Sequence, residues 1–182
     1  LNVLIGSTGQ DTVVLLDGYS LSVSAIESVI GMSGADTVFL LNGGTLGVSA
    51  IDRVIGSSAT DSVVFLGAGS YELSAIDYAL GTTGADSVTL VGAGASSISA
   101  IDRVTGSAGL DTVSLLGGGQ VEFTLVERVL GSSANDSLTM LGAGTVAISS
   151  IEYVLGSTLA DTVALLGAGA FTLSRVEALI GT

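Results

Sequence analysis

Apolar residues recur at every second position in short stretches of this chain, and Gly, Ser or Asp interrupts each stretch. Val13 and Leu15 form one such alternating pair, and Leu21 and Val23, separated by a serine, form another. A period of two residues is typical of β-strands with one buried face. Glycine-rich segments such as 66–69 follow the strands, and glycine accommodates sharp bends. The pattern predicts short strands joined by tight corners.

The whole pattern returns every 25 residues, without an insertion. A fixed period of this length is the signature of a repeat architecture in which each unit packs on its neighbours. Each unit contains three short strands and three corners, which cannot bury their apolar side alone. The repeats begin at residues 1, 26, 51, 76, 101, 126 and 151, and a partial unit covers 176–182.

Stacking these units predicts an all-β fold, a parallel β-solenoid of the β-helix or β-roll type. We expect a single domain over 1–182 with seven 25-residue coils of three short strands each. Neighbouring coils of such a solenoid lie ~4.8 Å apart, so each position of the repeat is expected to form a ladder of like side chains. Membrane β-barrels, propellers and leucine-rich repeats have other periods or motifs and are disfavoured.

The charge balance narrows the range of partners. Seventeen acidic residues against four arginines give a formal net charge of -13, which repels phosphate backbones and anionic membrane surfaces. No apolar stretch reaches the ~18 to 20 residues of a membrane helix. The sequence therefore predicts no nucleic-acid partner and no membrane insertion.

Two acidic series follow the period and together contain fourteen of the seventeen acids, so the negative charge belongs to the repeat as a whole. The first series is Asp11, Asp36, Asp61, Asp86, Asp111, Asp136 and Asp161. The second series is Glu27, Asp52, Asp77, Asp102, Glu127, Glu152 and Glu177. Each member of the second series follows an apolar residue of the predicted core, so its side chain is expected to point outward or into a corner, and a solvated face is the favoured interpretation.

The segments that contain the first series include GSTGQDTVV at 6–14 and GTTGADSVT at 81–89. They resemble the calcium-binding nonapeptide GGxGxDxUx of RTX, or haemolysin-type, repeats, although the second glycine of that motif is replaced, for example by Ser7. The resemblance implies a parallel β-roll in which calcium is bound by loop carbonyls and aspartate carboxylates shared between neighbouring coils. The implied metal ligands are Asp11, Asp36, Asp61, Asp86, Asp111, Asp136 and Asp161.

A cation is also suggested by electrostatics alone. If stacking places the aspartates of the first series ~5 Å apart in one row, their mutual repulsion needs compensation, and calcium prefers carboxylate and carbonyl oxygens. The alternative is that each aspartate accepts hydrogen bonds from its own turn, assisted by the Ser or Thr that follows it. The sequence leaves both interpretations open.

Catalysis finds little support in the sequence. The chain has no His or Cys to act as a base or nucleophile, and a repeated carboxylate offers no single site where two acids differ in environment. A polysaccharide-acting β-helix enzyme would have isolated breaks such as Glu72 or Glu122 as its acids, and an ice-binding solenoid would have a regular threonine array, which is absent here. We expect no enzyme.

The expected function is structural. The composition and the repeat favour a self-assembling building block of an extracellular or cell-surface filament, matrix or surface layer. Its expected partner is itself, in head-to-tail stacks, because neither end carries a polar capping repeat. The alternative is a calcium-rigidified stalk segment of a larger RTX-type adhesin.

Overall fold

The computed structural model describes residues 2–181, so that Leu1 and Thr182 of the predicted domain lie outside the described residues. This range folds into 22 β-strands without a helix, and accordingly contains no helical segment able to cross a membrane. The all-β, parallel solenoid predicted from the sequence is confirmed.

Successive strands alternate between two parallel sheets of eleven strands each. The odd sheet contains β1 (Asn2–Ile5), β3 (Ser20–Ser24), β5 (Thr37–Leu40), β7 (Arg53–Ile55), β9 (Ser70–Ser74), β11 (Ser87–Leu90), β13 (Arg103–Thr105), β15 (Gly119–Thr124), β17 (Asp136–Met140), β19 (Tyr153–Leu155) and β21 (Thr172–Ser174). The even sheet contains β2 (Thr12–Leu15), β4 (Ser28–Gly31), β6 (Gly44–Ser49), β8 (Asp61–Phe65), β10 (Tyr78–Leu80), β12 (Gly94–Ser99), β14 (Asp111–Leu115), β16 (Arg128–Leu130), β18 (Gly144–Ser149), β20 (Asp161–Leu165) and β22 (Ala178–Ile180).

Each coil contains two strands, one in each sheet. Arg53 pairs with Glu72, Ser70 with Ser87, and Ser87 with Arg103, so that consecutive coils are offset by 19, 17 and 16 residues. The solenoid therefore has about eleven coils of roughly 17 residues, and the expected seven coils of 25 residues and three strands are wrong. The coil closes after two strands because the two sheets pack face to face around one apolar layer.

The sequence repeat, with three strands, is thus longer than the structural coil, with two. In the repeat 51–75 the three strands are β7, β8 and β9, which we call types 1, 2 and 3. Corner 1 (56–60) joins types 1 and 2, corner 2 (66–69) joins types 2 and 3, and corner 3 (75–77) leads to the next type 1 strand. Each repeat advances the chain by one and a half coils, so equivalent segments alternate between the two sheets and between the two edges where the corners lie.

The core lies between the sheets and is built by the predicted alternation. Val54, Val63 and Leu73, one from each strand type, point inward and are fully buried, whereas their neighbours in the strands face solvent. Because inward and outward side chains alternate in the same way in every strand type, each strand type fits either sheet. This property allows three strand types to occupy two sheets without a break in the core.

Candidate functional site

Corner 1 is closed by the aspartate that follows it. Asp61 Oδ2 accepts hydrogen bonds from the Ser57 N–H at 2.6 Å and from the Ser57 hydroxyl at 2.9 Å. The Ser57 hydroxyl oxygen in turn accepts a bond from the Ala59 N–H at 3.1 Å. The donor is the residue four positions earlier and not the hydroxyl residue after the aspartate. The same arrangement is present at Asp11, Asp86, Asp111, Asp136 and Asp161.

These aspartates are buried in spite of their charge. Asp61 and Asp86 have no solvent exposure, and Asp11, in the first coil, is partly exposed. Asp36 differs from the others because Met32 replaces the serine of its corner, and its Oδ2 atom is buried without a hydrogen-bond partner. A buried carboxylate is tolerated when it accepts several hydrogen bonds. Corner 1 therefore depends on the carboxylate for its shape.

The acids of the second series join adjacent coils through hydrogen bonds. Glu27 Oε2 accepts a hydrogen bond from the Asp11 N–H at 2.7 Å, although the two residues are 16 positions apart. Aspartate serves equally, since Asp77 Oδ2 accepts from the Asp61 N–H at 2.8 Å. Equivalent bonds join Asp36 to Asp52, Asp86 to Asp102, Asp111 to Glu127, Asp136 to Glu152 and Asp161 to Glu177. The sequence favoured a solvated face for this series and did not predict these hydrogen bonds between coils.

The first residue of corner 1 is glycine because the next coil approaches it closely. A Cβ atom on Gly56 would lie 1.9 Å from the Ala75 carbonyl oxygen and 2.9 Å from Asp61 Oδ2. Ala75 itself has a φ of 53°, a left-handed conformation that non-glycine residues seldom adopt. The corner 3 residue of every repeat shares this conformation: Ala25, Ala50, Ala75, Ala100, Leu125, Ser150 and Arg175.

Glycine should therefore be favourable in corner 3. Leu125 has a φ of 54° and an exposed side chain. We expect Leu125→Gly to be more stable than Leu141→Gly by about 1 to 2 kcal/mol, because only the first substitution relieves a left-handed conformation. Leu141 is equally an exposed leucine, and the entropic cost of glycine in the unfolded chain is common to both variants. Urea denaturation measures the difference, and equal stabilities would contradict this account of corner 3.

The expected row of adjacent aspartates does not exist. Each edge of the solenoid presents corner 1, corner 3 and corner 2 in turn, so corner 1 recurs on one edge only every 50 residues, which is three coils or ~14 Å. Asp11, Asp61, Asp111 and Asp161 lie on one edge, and Asp36, Asp86 and Asp136 lie on the other. This spacing relieves the repulsion expected between aspartates of the first series, although a second-series acid lies on the adjacent coil, as Asp77 does beside Asp61.

The residues do not form the shared calcium site that the RTX resemblance implies. No corner 1 lies next to another on the same edge, and residues 2–181 contain no group of three acidic or other metal-binding side chains. One feature suited to a cation remains, because Oδ1 is buried without a hydrogen-bond partner in Asp61, Asp111, Asp136 and Asp161. Asp111 lines a cavity of about 200 Å³ together with Asp77, Ser96 and corner 2 of the intervening coil. Whether calcium binds remains a prediction.

Charge is segregated between the edges and the faces of the solenoid. The fourteen repeated acids, together with Asp17 and Arg175, lie in the corners or at the strand ends next to them. The outward faces of the strands carry two ion pairs on the odd sheet, Arg53 with Glu72 at 3.3 Å and Arg103 with Glu122 at 2.5 Å. The edges are therefore strongly acidic, whereas the two broad faces are close to neutral.

Tyr71 interrupts the aliphatic core. Its ring stacks on Phe65 with the centroids 3.8 Å apart, and its hydroxyl donates to the Gly67 carbonyl oxygen at 2.6 Å. Burial raises the pKa of Tyr71 above its usual value of 10.0, and the Asp86 carboxylate raises it further. The neutral phenol is thus the form that fits this position.

The raised pKa of Tyr71 predicts a loss of stability at alkaline pH. Below pH 10 the phenol is neutral in both states, and we expect Tyr71→Phe to be less stable than the wild type by about 1 kcal/mol through its lost hydrogen bond. As the pH rises from 10 through the raised pKa, the unfolded chain ionises first and the advantage of tyrosine is lost. Urea denaturation at pH 7 and above pH 10 should show that the difference in unfolding free energy between the wild type and Tyr71→Phe becomes smaller at the higher pH. A difference that stays constant would contradict a raised pKa for Tyr71.

Comparisons with protein-family models, with curated proteins and with solved structures find no match to this chain. A proposal for the function of this chain therefore rests on its fold and on the geometry of its corners.

Proposed function

We propose that this chain is a non-enzymatic structural protein that forms extracellular or cell-surface filaments, matrices or surface layers by stacking solenoid coils end to end. The supporting observation is the exposure of core positions in the terminal coils. Leu4 is 39% exposed and Leu179 is 49% exposed, whereas the equivalent residues of the six repeats between them are completely buried. Those residues are Val29, Val54, Ala79, Val104, Val129 and Val154.

The two ends of the described solenoid can each accept a further coil. At the first coil, Leu4, Val13, Leu15 and Leu21 are among the residues that line an open, largely apolar cavity of about 360 Å³. The outer edges of β1 and β2 have no neighbouring strand in their sheets. Unpaired strand edges next to exposed apolar side chains favour the addition of another strand. A second copy of the chain supplies strands with matching alternation.

The strands at the two ends of the described solenoid belong to different types. Within the odd sheet the strand types follow the order 1, 3, 2, so a type 2 strand belongs next to the type 3 strand β21. If a second copy is rotated by half a turn about the solenoid axis, its β2, a type 2 strand, lies next to β21. The order of strand types then continues across the contact in that one sheet. The contact joins different surfaces of the two copies and therefore propagates as a filament.

A structural role agrees with the use of the acidic residues. Each repeated aspartate closes a turn or is buried at one, and each second-series acid accepts a backbone N–H from a neighbouring coil. Carboxylates engaged in this way in every repeat maintain the coil geometry.

Electron microscopy of the purified chain tests this proposal. We expect unbranched filaments with a repeat of ~4.8 Å along their axis. Combined Leu4→Lys and Ile5→Lys substitutions should abolish the filaments, because charged side chains at the first coil oppose the approach of another coil. Leu110→Lys is the control, since Leu110 is exposed in a corner between β13 and β14, in the middle of the solenoid. Monomers of the unmodified chain at high concentration, with and without calcium, would overturn the proposal.

A calcium-rigidified stalk segment is the second candidate. The observation that favours it is the unpartnered Oδ1 of Asp111 at the wall of its cavity. Asp111 and Asp77 would hold the cation, which would supply charge compensation and stiffness to that edge. A stalk segment is expected to stay monomeric under conditions in which a filament subunit polymerises, so the microscopy experiment separates the two candidates.

A further inference from the structure

The outward face of the even sheet carries an apolar stripe along the solenoid. Leu80 pairs with Ser99 on the next strand, and Leu116 continues that row because its N–H donates to the Ile98 carbonyl oxygen at 2.8 Å. The same row of an apolar residue, a serine and a leucine recurs every 50 residues. Its other members are Ile30, Ser49 and Leu66, and Leu130, Ser149 and Leu166.

These leucines lie on the face of the sheet. The side chain of Leu66 lies over β6, where its Cδ1 atom would be 3.2 Å from a Cβ atom on Gly47. Leu66 is nevertheless 53% exposed and Leu116 is 51% exposed. Leucine at this position is not needed by the core, whose inward residues are separate, so its exposure in every third coil of the even sheet requires another explanation.

The odd sheet carries equivalent rows, such as Ile55, Ser74 and Val91, but its outward face is more polar. One of its rows is interrupted by Thr105 paired with Thr124, and the same face holds the two arginine–glutamate ion pairs. On the even sheet, Arg128 is the one charged residue that faces outward from the strands within residues 2–181. The two faces, although built from the same repeat, thus differ in polarity.

We propose that two copies of this chain associate laterally through their even sheets, face to face. The partner of a nearly uncharged face with an apolar stripe should itself be nearly uncharged and partly apolar, and the even sheet of a second copy meets this requirement. Eleven strands at ~4.8 Å and a width of about five residues give a face of roughly 770 Å². A stable interface needs about 800 Å² from each partner.

A twofold axis through β12, the central strand of the even sheet, makes this contact self-complementary. Under that symmetry β16 lies opposite β8, whose residues Asp61–Phe65 include no second cation to meet Arg128. The two Arg128 residues are then four strands apart, ~19 Å, which exceeds the Debye length. The acidic edges stay at the periphery, in water.

Sedimentation velocity tests lateral association independently of end-to-end growth. The experiment uses full-length chain with Leu4→Lys and Ile5→Lys, in which axial stacking is blocked, and we expect it to be a dimer at micromolar concentration. Adding Leu66→Lys and Leu116→Lys should weaken the dimer about tenfold or more, because it buries two charges per copy in the interface.

The matched control is Leu41→Lys with Leu141→Lys, which changes the same repeat position by the same charge on the odd sheet. This variant should remain dimeric, and thermal melting of both variants verifies that they fold. A monomeric parent, or equal dissociation by the even-sheet and odd-sheet variants, would overturn lateral pairing. Filaments one solenoid wide would likewise overturn it while leaving end-to-end stacking intact.

Discussion

Replacing Gly56 with alanine should lower the free energy of unfolding by about 3 kcal/mol, the upper end of the usual range for inserting a methyl group into a packed site. The new Cβ atom would lie 1.9 Å from the Ala75 carbonyl oxygen, which is backbone and cannot move aside as a side chain can. Relief would require separation of two coils, and the Gly56 N–H already donates to the Ser74 carbonyl oxygen at 2.8 Å. The loss should be measured by urea denaturation.

Two glycines provide matched controls for this substitution. Gly181 occupies the same repeat position in the last coil, and a Cβ atom there meets nothing within 4 Å. Gly117 lies in the middle of the chain, where its nearest neighbour would be the Ser99 hydroxyl at 4.0 Å. Alanine at either control should change stability by no more than about 1 kcal/mol. A comparable loss at Gly117 would show that the effect of Gly56→Ala does not come from contact between coils.

The sequence predicted the repeat, the inward positions and the glycine corners, but not the number of strands in a coil. Val54, Val63 and Leu73 belong to different strand types and yet have the same alternation and the same complete burial. Nothing in such a pattern indicates whether a coil closes after two strands or three. Pairing between coils decides this, and pairing is a long-range property that composition and periodicity do not encode.

The corner geometry was predicted only in part for a related reason. Turn closure by Asp61 is local and follows from the general behaviour of aspartate in turns. The bond from the Asp61 N–H to Asp77 joins residues 16 positions apart, and its prediction requires the coil length. The left-handed conformation of Ala75 has no sequence signal, because glycine, the usual residue for that conformation, is absent there.

Removing the buried carboxylate of Asp86 should also be strongly destabilising. Its Oδ2 accepts bonds from the Thr82 N–H at 2.6 Å and the Thr82 hydroxyl at 2.8 Å, and its Oδ1 accepts from the Gly69 N–H at 3.1 Å. Asp86→Ala leaves three donors without a partner inside the protein, at about 1 kcal/mol or more each. We expect a total loss of about 3 to 4 kcal/mol in urea denaturation, against about 1 kcal/mol for Asp102→Ala, whose carboxylate is exposed and accepts one bond.

Calcium dependence distinguishes turn closure by Asp86 from metal binding by its equivalents. The loss on Asp86→Ala should be the same with calcium and with a chelator, because both Asp86 oxygens already accept protein hydrogen bonds. Asp111 closes its turn in the same way through Ser107 but has an unpartnered Oδ1. If a cation binds there, calorimetry should show one fewer calcium ion bound to Asp111→Asn and no change for Asp86→Asn. Equal melting of the unmodified chain with and without chelator would exclude stabilisation by calcium and leave hydrogen bonding as the role of the whole aspartate series.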